Sequence, residues 1–181
     1  MRSILHRTKI PAIYVTHDQE EAFAIADRVL ILHGGEIVRE GTPAEVWADP
    51  QFAFVARFLG LGNVFEGEVI GKHALPQLHR DDVSPAEKTK EGEWKVESDF
   101  GIFTVRCGHK HAVGEKVHLL ARPLSVEEER GWNVIGGVVA DAIFQQDRFK
   151  VTLENGLHVY LASAPRVGDK LEVRVKVECL V

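Results

Sequence analysis

A histidine between an apolar run and an acidic run is the first candidate for chemistry. His17 follows the β-rich segment PAIYV (11–15) and precedes the helix-forming segment DQEEA (18–22). The apolar run predicts a buried strand, and Asp18 with Glu21 three residues later predicts a capped helix start. His17 would then lie just past the carboxyl end of a parallel strand, where open α/β sheets bind their ligands. A loop histidine that caps or packs is the competing interpretation.

The segment CGHKH (107–111) is the second candidate. On a regular strand Cys107, His109 and His111 would share one face, and thiol and imidazole groups suit Zn²⁺. Three ligands from one strand rarely converge on one ion, however, and Gly108 predicts a bend. We interpret these side chains as solvated turn residues, so that no metal site is assigned; a metal-sensing module is the alternative.

Composition narrows the classes of protein that the chain can represent. It has 181 residues, 45% of them hydrophobic and 27% charged, which fits one good-sized domain or two small ones. The net charge of −5 argues against a nucleic-acid partner. The two cysteines form neither a CxxC pair nor a disulfide framework, which favours a reducing cytoplasm. No apolar run approaches the roughly 18 residues needed to span a bilayer.

The first third of the chain has the pattern of α/β structure. The segments 28–32 and 37–41 predict strands, joined by a tight turn at HGGE where two glycines readily adopt positive φ. Thr42 and Glu45 predict a second capping box at the start of a helix over 42–49, and residues 50–60 predict another short helix that ends at Gly60. The opening residues resemble the tail of an amphipathic helix and not a signal peptide.

The rest of the chain is predicted to be β and repeats itself. Asn63 and Asn133 begin the first pair of matching segments and are 70 residues apart (133 − 63). Val113 and Val167 begin the third pair and are only 54 residues apart (167 − 113), so the first copy carries an insertion. That insertion, at 72–93, is polar and predicts a mobile surface loop. Each copy has too few strands to close a core alone, so the two should form one small barrel or a barrel pair. The paired segments are 63–71 with 133–141, 95–105 with 150–161, and 113–123 with 167–177.

The N-terminal segment resembles a known family. Residues 13–60 are similar to the end of the nucleotide-binding subunit of ABC importers: VTHDQEEA resembles its switch-histidine segment and GTPAEVWADP the sequence that follows. The resemblance implies that His17 contacts the γ-phosphate of ATP. The chain has no GxxxxGK[ST] loop, no LSGGQ-like segment and no strand ending in Asp-Glu before residue 11. We therefore expect a C-terminal fragment that binds no cofactor and hydrolyses no ATP by itself.

The β segments resemble a second module of the same subunits. GNVFEG, LLARP and VGDKLEVRVKV are similar to the TOBE domain, an OB-like barrel with a regulatory or dimerising role. The expected fold class is therefore α+β. Residues 1–60 would be a truncated α/β layer from an ABC ATPase domain, and residues 61–181 an OB-like barrel built from two repeats.

The resemblance also implies partners and a location. The intact parent would use ATP and Mg²⁺, couple ATP hydrolysis to solute uptake, and bind permease subunits at the inner membrane. It would be cytoplasmic and peripheral to that membrane, would form a homodimer, and would not itself span the bilayer. The alternative function is a self-standing OB-like module that binds an oxyanion or a polyol between its repeats.

Overall fold

The computed structural model describes residues 2–72, 92–122 and 133–180 of the chain. These residues form two compact units, Met1–Leu61 and Gly62–Val181. Most of the predicted insertion loop, residues 73–91, lies outside the described residues.

The described residues of the first unit form four short helices and one hairpin. The two strands pair antiparallel, with Leu32 opposite Ile37, and the turn between them uses Gly34 and Gly35 at φ values of 59° and 87°. The predicted hairpin is therefore present, and so is the opening helix. The elements are α1 (Arg2–Thr8), α2 (Gln19–Ile25), β1 (Val29–His33), β2 (Glu36–Gly41), α3 (Pro43–Ala48) and α4 (Ala53–Phe58).

The predicted strand at 11–15 is wrong. These residues have no regular secondary structure, and Ile13 and Val15 are 97% and 89% exposed. A strand needs a neighbour that accepts and donates its backbone hydrogen bonds. Among the described residues of this unit, β1 and β2 pair only with each other, and residues 11–15 pair with neither strand. The expected parallel layer is reduced to an antiparallel hairpin.

Among its described residues the second unit has eight strands, and five of them close into a barrel. The neighbours around the barrel are β5, β4, β3, β6 and β10, and β10 returns to β5 through a parallel pairing of Glu178 with Arg106. This is the predicted OB-like barrel, with β7, β8 and β9 continuing the sheet from β10. The strands are β3 (Asn63–Lys72), β4 (Gly92–Ser98), β5 (Gly101–Cys107), β6 (Lys116–Arg122), β7 (Asn133–Gln145), β8 (Arg148–Leu153), β9 (His158–Leu161) and β10 (Lys170–Leu180).

The strand order shows that the unit is a duplicated four-strand motif. The first copy is ordered β5-β4-β3-β6 and the second β10-β7-β8-β9, so the order reads the same from either side of the central β6–β10 pair. The registers agree as well: Asn63 lies opposite Ala121 in the first copy, and Asn133 lies opposite Val175 in the second. The predicted equivalence of the two halves is confirmed.

Two buried asparagines join the copies in the same way. The side chain of Asn63 accepts from the His158 backbone N–H at 2.8 Å and donates to the carbonyl oxygen of the same residue at 2.7 Å. Asn133 makes the same pair of bonds to Thr104, at 2.8 and 2.9 Å. Each asparagine therefore satisfies one backbone position of the other copy, and a buried amide is stable only when it is paired in this way.

Candidate functional site

The turn that carries His17 is held by a local hydrogen-bond network. Asp18 caps α2 by accepting the Glu21 backbone N–H at 2.9 Å. The Asp18 backbone N–H donates to Thr16 Oγ1 at 3.0 Å. The Glu21 carboxylate accepts from the Tyr14 hydroxyl at 2.9 Å and from Thr16 at 3.2 Å. Only half of the predicted capping box is present, because Thr16 and not Glu21 satisfies the Asp18 N–H.

The same network raises the pKa of the Tyr14 phenol. The largest cause is the hydrogen bond that its hydroxyl donates to Glu21, since this bond is lost on ionisation. The neighbouring carboxylate charge acts in the same direction. Tyr14 is therefore held as a neutral donor, and its bond helps to fix the turn.

His17 itself takes no part in this network. Its side chain is exposed and makes no hydrogen bond or ion pair with any of the described residues. The flanking residues fix the backbone on both sides of it, so the imidazole is presented to solvent by a defined turn. A single imidazole offers a phosphate one hydrogen-bonding contact.

A second cluster forms where the barrel closes. Cys107 ends β5, His111 lies in the loop that follows, and Cys179 lies on β10 beside the closing pair. Their ligand atoms lie within 4.8 Å of one another. Cys179 Sγ is 3.6 Å from His111 Nε2, and His111 Nδ1 is 3.0 Å from Glu115 Oε1. The arrangement places two sulfurs and one imidazole nitrogen around one point, with a carboxylate behind the imidazole.

The cluster differs from the candidates that the sequence offered. Cys107, His109 and His111 do not share a strand face, because β5 ends at Cys107 and the chain bends at Gly108, as predicted. His109 is exposed and lies outside the cluster, whereas His111 is only partly exposed, with its side chain 8% accessible. Cys179 was missed because it is distant along the chain, and the strand pairing that brings it close carries no local sequence signal.

The two thiols have opposite electrostatic environments. Cys107 is buried, and its thiol donates a hydrogen bond to Cys179; both effects raise the pKa of Cys107 far above the usual range, the hydrogen bond being the larger. That bond and the neighbouring imidazole lower the pKa of Cys179 to about 7 against the opposing effect of burial. Cys179 is therefore the sulfur that ionises first.

Trp94 borders this cluster on β4. Its ring meets the His111 ring edge-on, with the centroids 5.6 Å apart and the planes at 84°. The indole is 4% exposed, and its N–H has no acceptor among the described residues. The Lys72 ammonium lies 5.1 Å from the centroid of the indole ring. One side of the cluster is thus closed by a large aromatic group.

A shallow pocket of about 200 Å³ lies elsewhere in the barrel unit. It is lined by residues 136–138 of β7 and 170–172 of β10. Both strands belong to the second repeat, so this pocket differs from the site between repeats that a small-ligand binder was expected to use. It contains Lys170 and Glu172 but none of the cysteines or histidines discussed above.

Comparison with known proteins identifies the relatives of the chain. It is 36% identical over 123 residues to the "Fe(3+) ions import ATP-binding protein FbpC" of Rhizobium etli, covering 65% of this chain and 35% of that protein. It is 32% identical over 177 residues to the "Spermidine/putrescine import ATP-binding protein PotA" of Thermotoga maritima, covering 91% of this chain and 43% of that protein. No family model matches the chain.

One solved structure, the cytoplasmic molybdate-binding protein ModG with molybdate bound, gives a TM-score of 0.39 at 15% identity. The alignment covers 64% of this chain and 94% of that one.

The homologues of this chain are therefore ATP-binding subunits of ABC importers, as the sequence resemblance predicted. The PotA alignment includes residues of both units. The chain spans less than half the length of these relatives. No helix among the described residues is long and apolar enough to cross a membrane.

Proposed function

We propose that the chain is the C-terminal part of the ATP-binding subunit of an ABC importer. The observation that carries this proposal is the alignment with the PotA relative, which covers 91% of the chain and so includes residues of both units. In this proposal the first unit belongs to an ATPase domain, and the barrel has a regulatory or dimerising role. The whole subunit would use ATP and Mg²⁺ and would dock on permease subunits at the cytoplasmic face of the membrane.

Within the whole subunit, we assign His17 to contact with the γ-phosphate. An exposed imidazole on a turn with a fixed backbone suits this task, because its position depends little on its own side-chain contacts. The bonds of Thr16 and Asp18 would hold the turn, and His17 would donate a hydrogen bond to the phosphate or to the attacking water. The phosphate loop, the Mg²⁺ ligands and the signature segment would come from outside this chain.

The gene provides the most direct test. DNA upstream of the Met1 codon should contain an in-frame phosphate-loop sequence GxxxxGK[ST], and neighbouring genes should encode a permease and a solute-binding protein. An upstream stop codon without such a sequence would contradict the proposal and favour a self-standing binding module.

The role of His17 can be tested on the intact subunit by two paired measurements. We expect His17→Ala to leave equilibrium ATP binding nearly unchanged, because the phosphate loop supplies most of it. Steady-state hydrolysis should fall about a hundredfold or more, the scale for loss of one transition-state contact. His109→Ala, at another exposed histidine, is the matched control and should hydrolyse ATP normally. Wild-type hydrolysis in His17→Ala would remove His17 from the mechanism.

We also propose that the chain forms a homodimer, since the hairpin exposes apolar side chains on one face. Leu30 and Leu32 alternate with the buried Ile31 and are 49% and 66% exposed, and Ile37, opposite Leu32, is 55% exposed. Contiguous apolar surface of this kind drives association. Light scattering at micromolar concentration should show a dimer for the wild type and a smaller species for Leu32→Ser. A monomeric wild type would contradict this part of the proposal.

A further inference from the structure

The cluster of Cys107, His111 and Cys179 has the composition of a binding site for a thiophilic metal ion. Two thiolates and one imidazole are preferred ligands of Zn²⁺, with Zn–S near 2.3 Å and Zn–N near 2.0 Å, so tetrahedral ligand atoms lie about 3.5–3.8 Å apart. The three ligand atoms here lie within 4.8 Å of one another, and the Cys179–His111 separation is 3.6 Å. A small contraction of the cluster therefore reaches coordination distances.

The Glu115 carboxylate, which contacts the His111 ring, also supports metal binding at this cluster. A histidine that binds a metal through one ring nitrogen usually donates its other N–H to a carboxylate, which fixes its orientation and tautomer. Here Nε2 faces Cys179 and Nδ1 faces the Glu115 carboxylate at 3.0 Å. Glu115 is held in turn, because its other oxygen accepts the Ala112 backbone N–H at 2.8 Å. The imidazole thus presents Nε2 to the two sulfurs.

The second repeat provides an internal comparison. Its turn is built like the first: Asp169 accepts the Arg166 backbone N–H at 3.0 Å, as Glu115 accepts that of Ala112. The residues equivalent to Cys107 and His111 are Leu161 and Pro165, which offer no ligand. The turn and its carboxylate therefore serve the fold in both repeats, but only in the first do a cysteine and a histidine precede the turn; the second sulfur, of Cys179, comes from β10 of the second repeat. Barrel architecture alone does not require the cluster.

We propose that Cys107, His111 and Cys179 bind one Zn²⁺ ion that fastens the closing strands of the barrel. Cys107 and Cys179 lie next to the Arg106–Glu178 pairing that joins β5 to β10. The ion would link β5, the loop after it and β10. Two thiolates would neutralise the charge of the ion, so that a nearly buried complex carries no net charge. Binding would release the thiol protons, and the fourth position would remain open to water or an incoming donor.

A reversible disulfide between Cys107 and Cys179 is the competing function of these two sulfurs, because the two side chains are close enough to interact with each other. Zinc binding requires both thiols reduced, whereas a redox pair would function without metal. The presence of His111 and its carboxylate favours the metal, since a disulfide needs neither group.

The test is a metal titration of the 181-residue chain, reduced and stripped of metal. Co²⁺ should bind at one ion per chain with sulfur-to-cobalt charge-transfer absorption, and Zn²⁺ should displace it. At free Zn²⁺ a hundredfold above its Kd, the Tm should rise by about 5 °C or more. A folded, reduced chain that gives no such absorption with Co²⁺ and no stabilisation by Zn²⁺ overturns the proposal, even if it readily forms a disulfide in air.

Variants separate this site from other thiols and histidines. Cys179→Ser and His111→Ala should each abolish the sulfur–cobalt absorption while retaining the β circular dichroism of the wild type. Glu115→Gln should weaken Zn²⁺ binding about tenfold. Asp169→Asn and His109→Ala are matched controls and should bind as the wild type does. If either ligand variant fails to fold, the other carries the test. Unchanged binding in a folded ligand variant, or loss of binding in His109→Ala, overturns the proposal.

Discussion

The two units of this chain differ in how completely they bury apolar residues, although both are rich in them. In the first unit Ile13, Val15 and Leu32 are 97%, 89% and 66% exposed. In the barrel unit Val96, Leu119, Val139 and Val159 are completely buried. The hydrophobic effect acts on both sets alike, so the difference lies in the backbone. Every strand of the barrel unit has a hydrogen-bonded neighbour, and residues 11–15 have none among the residues described.

An apolar, β-rich sequence is therefore not sufficient to form a strand. Residues 11–15 are as apolar as many barrel segments, yet they have no regular structure, and no described strand pairs with them. The duplicated unit supplies its own edges, since each copy pairs with the other through β6 and β10. Substitutions in the two units should therefore differ in their effect on stability.

The largest effect should come from the barrel core. Phe103 is 1% exposed and packs against Phe65, with ring centroids 5.4 Å apart. Phe103→Ala should lower the free energy of unfolding of the barrel unit by about 3–5 kcal/mol, through lost burial and a residual cavity. Urea unfolding followed by circular dichroism measures this. Ile102, which precedes Phe103, is 60% exposed, and Ile13 lies in the first unit. Ile102→Ala and Ile13→Ala should each change this free energy of unfolding by less than about 1 kcal/mol. Equal effects of Phe103→Ala and Ile13→Ala would remove the contrast.

A smaller effect should come from the paired asparagines. Asn63→Ala and Asn133→Ala each leave a backbone N–H and carbonyl of the other repeat without a partner, which should lower stability by about 1–3 kcal/mol. Because the two sites are equivalent, the two losses should be similar. Asn155→Ala removes comparable bonds at an exposed position and is the control, with a smaller expected loss. A neutral result at one buried site only would show that the two repeats are not energetically equivalent.

Loss of the N-terminal cap of α3, in the first unit, should have a smaller effect on stability than loss of a buried asparagine. Thr42 and Glu45 form the predicted reciprocal capping box at the start of α3. Thr42→Ala should destabilise α3 by about 1 kcal/mol, seen as faster hydrogen exchange of its amides. Val46→Leu, a buried neighbour with its backbone bonds intact, is the control for local repacking.

The Thr42 effect should also depend on pH. The hydrogen bond from the Thr42 backbone N–H to the Glu45 carboxylate, followed by that from the Thr42 side chain, lowers the pKa of Glu45. A lowered pKa in the folded state means that the stabilisation is present above the unfolded pKa and is lost as the pH falls through the folded value. The protection of α3 in the wild type should therefore decrease below about pH 4.5. Protection that increased on acidification would contradict this assignment.

The smallest effect should come from His17. Its side chain makes no contact that stabilises the described turn, so His17→Ala should change the free energy of unfolding by less than about 0.5 kcal/mol. Asp18→Ala, which removes the cap of α2, should change it by about 1 kcal/mol and is the comparison. A loss at His17 as large as that at Asp18 would indicate a structural role for the imidazole.

The sequence predicted the features that depend on near neighbours. The glycine turn after β1, the Asp18 and Thr42 caps and the bend at Gly108 each involve residues within four positions, and all are present. The sequence also predicted the duplication, because the two copies retain matching segments. The half-formed box at Asp18 was not predicted, because Thr16 accepts the Asp18 N–H and the Glu21 carboxylate instead accepts from Tyr14.

The repeats, the caps, the hairpin turn and the resemblance to importer subunits can all be read from the residue order. The absence of a strand at 11–15, the pairing of β5 with β10 and the approach of Cys179 to Cys107 and His111 are visible only in the folded chain. Local features follow from backbone sterics and hydrogen bonds between residues a few positions apart, which the residue types encode directly. Strand partners and side-chain clusters depend on which distant edges are available when the chain closes, and no short stretch of sequence specifies that.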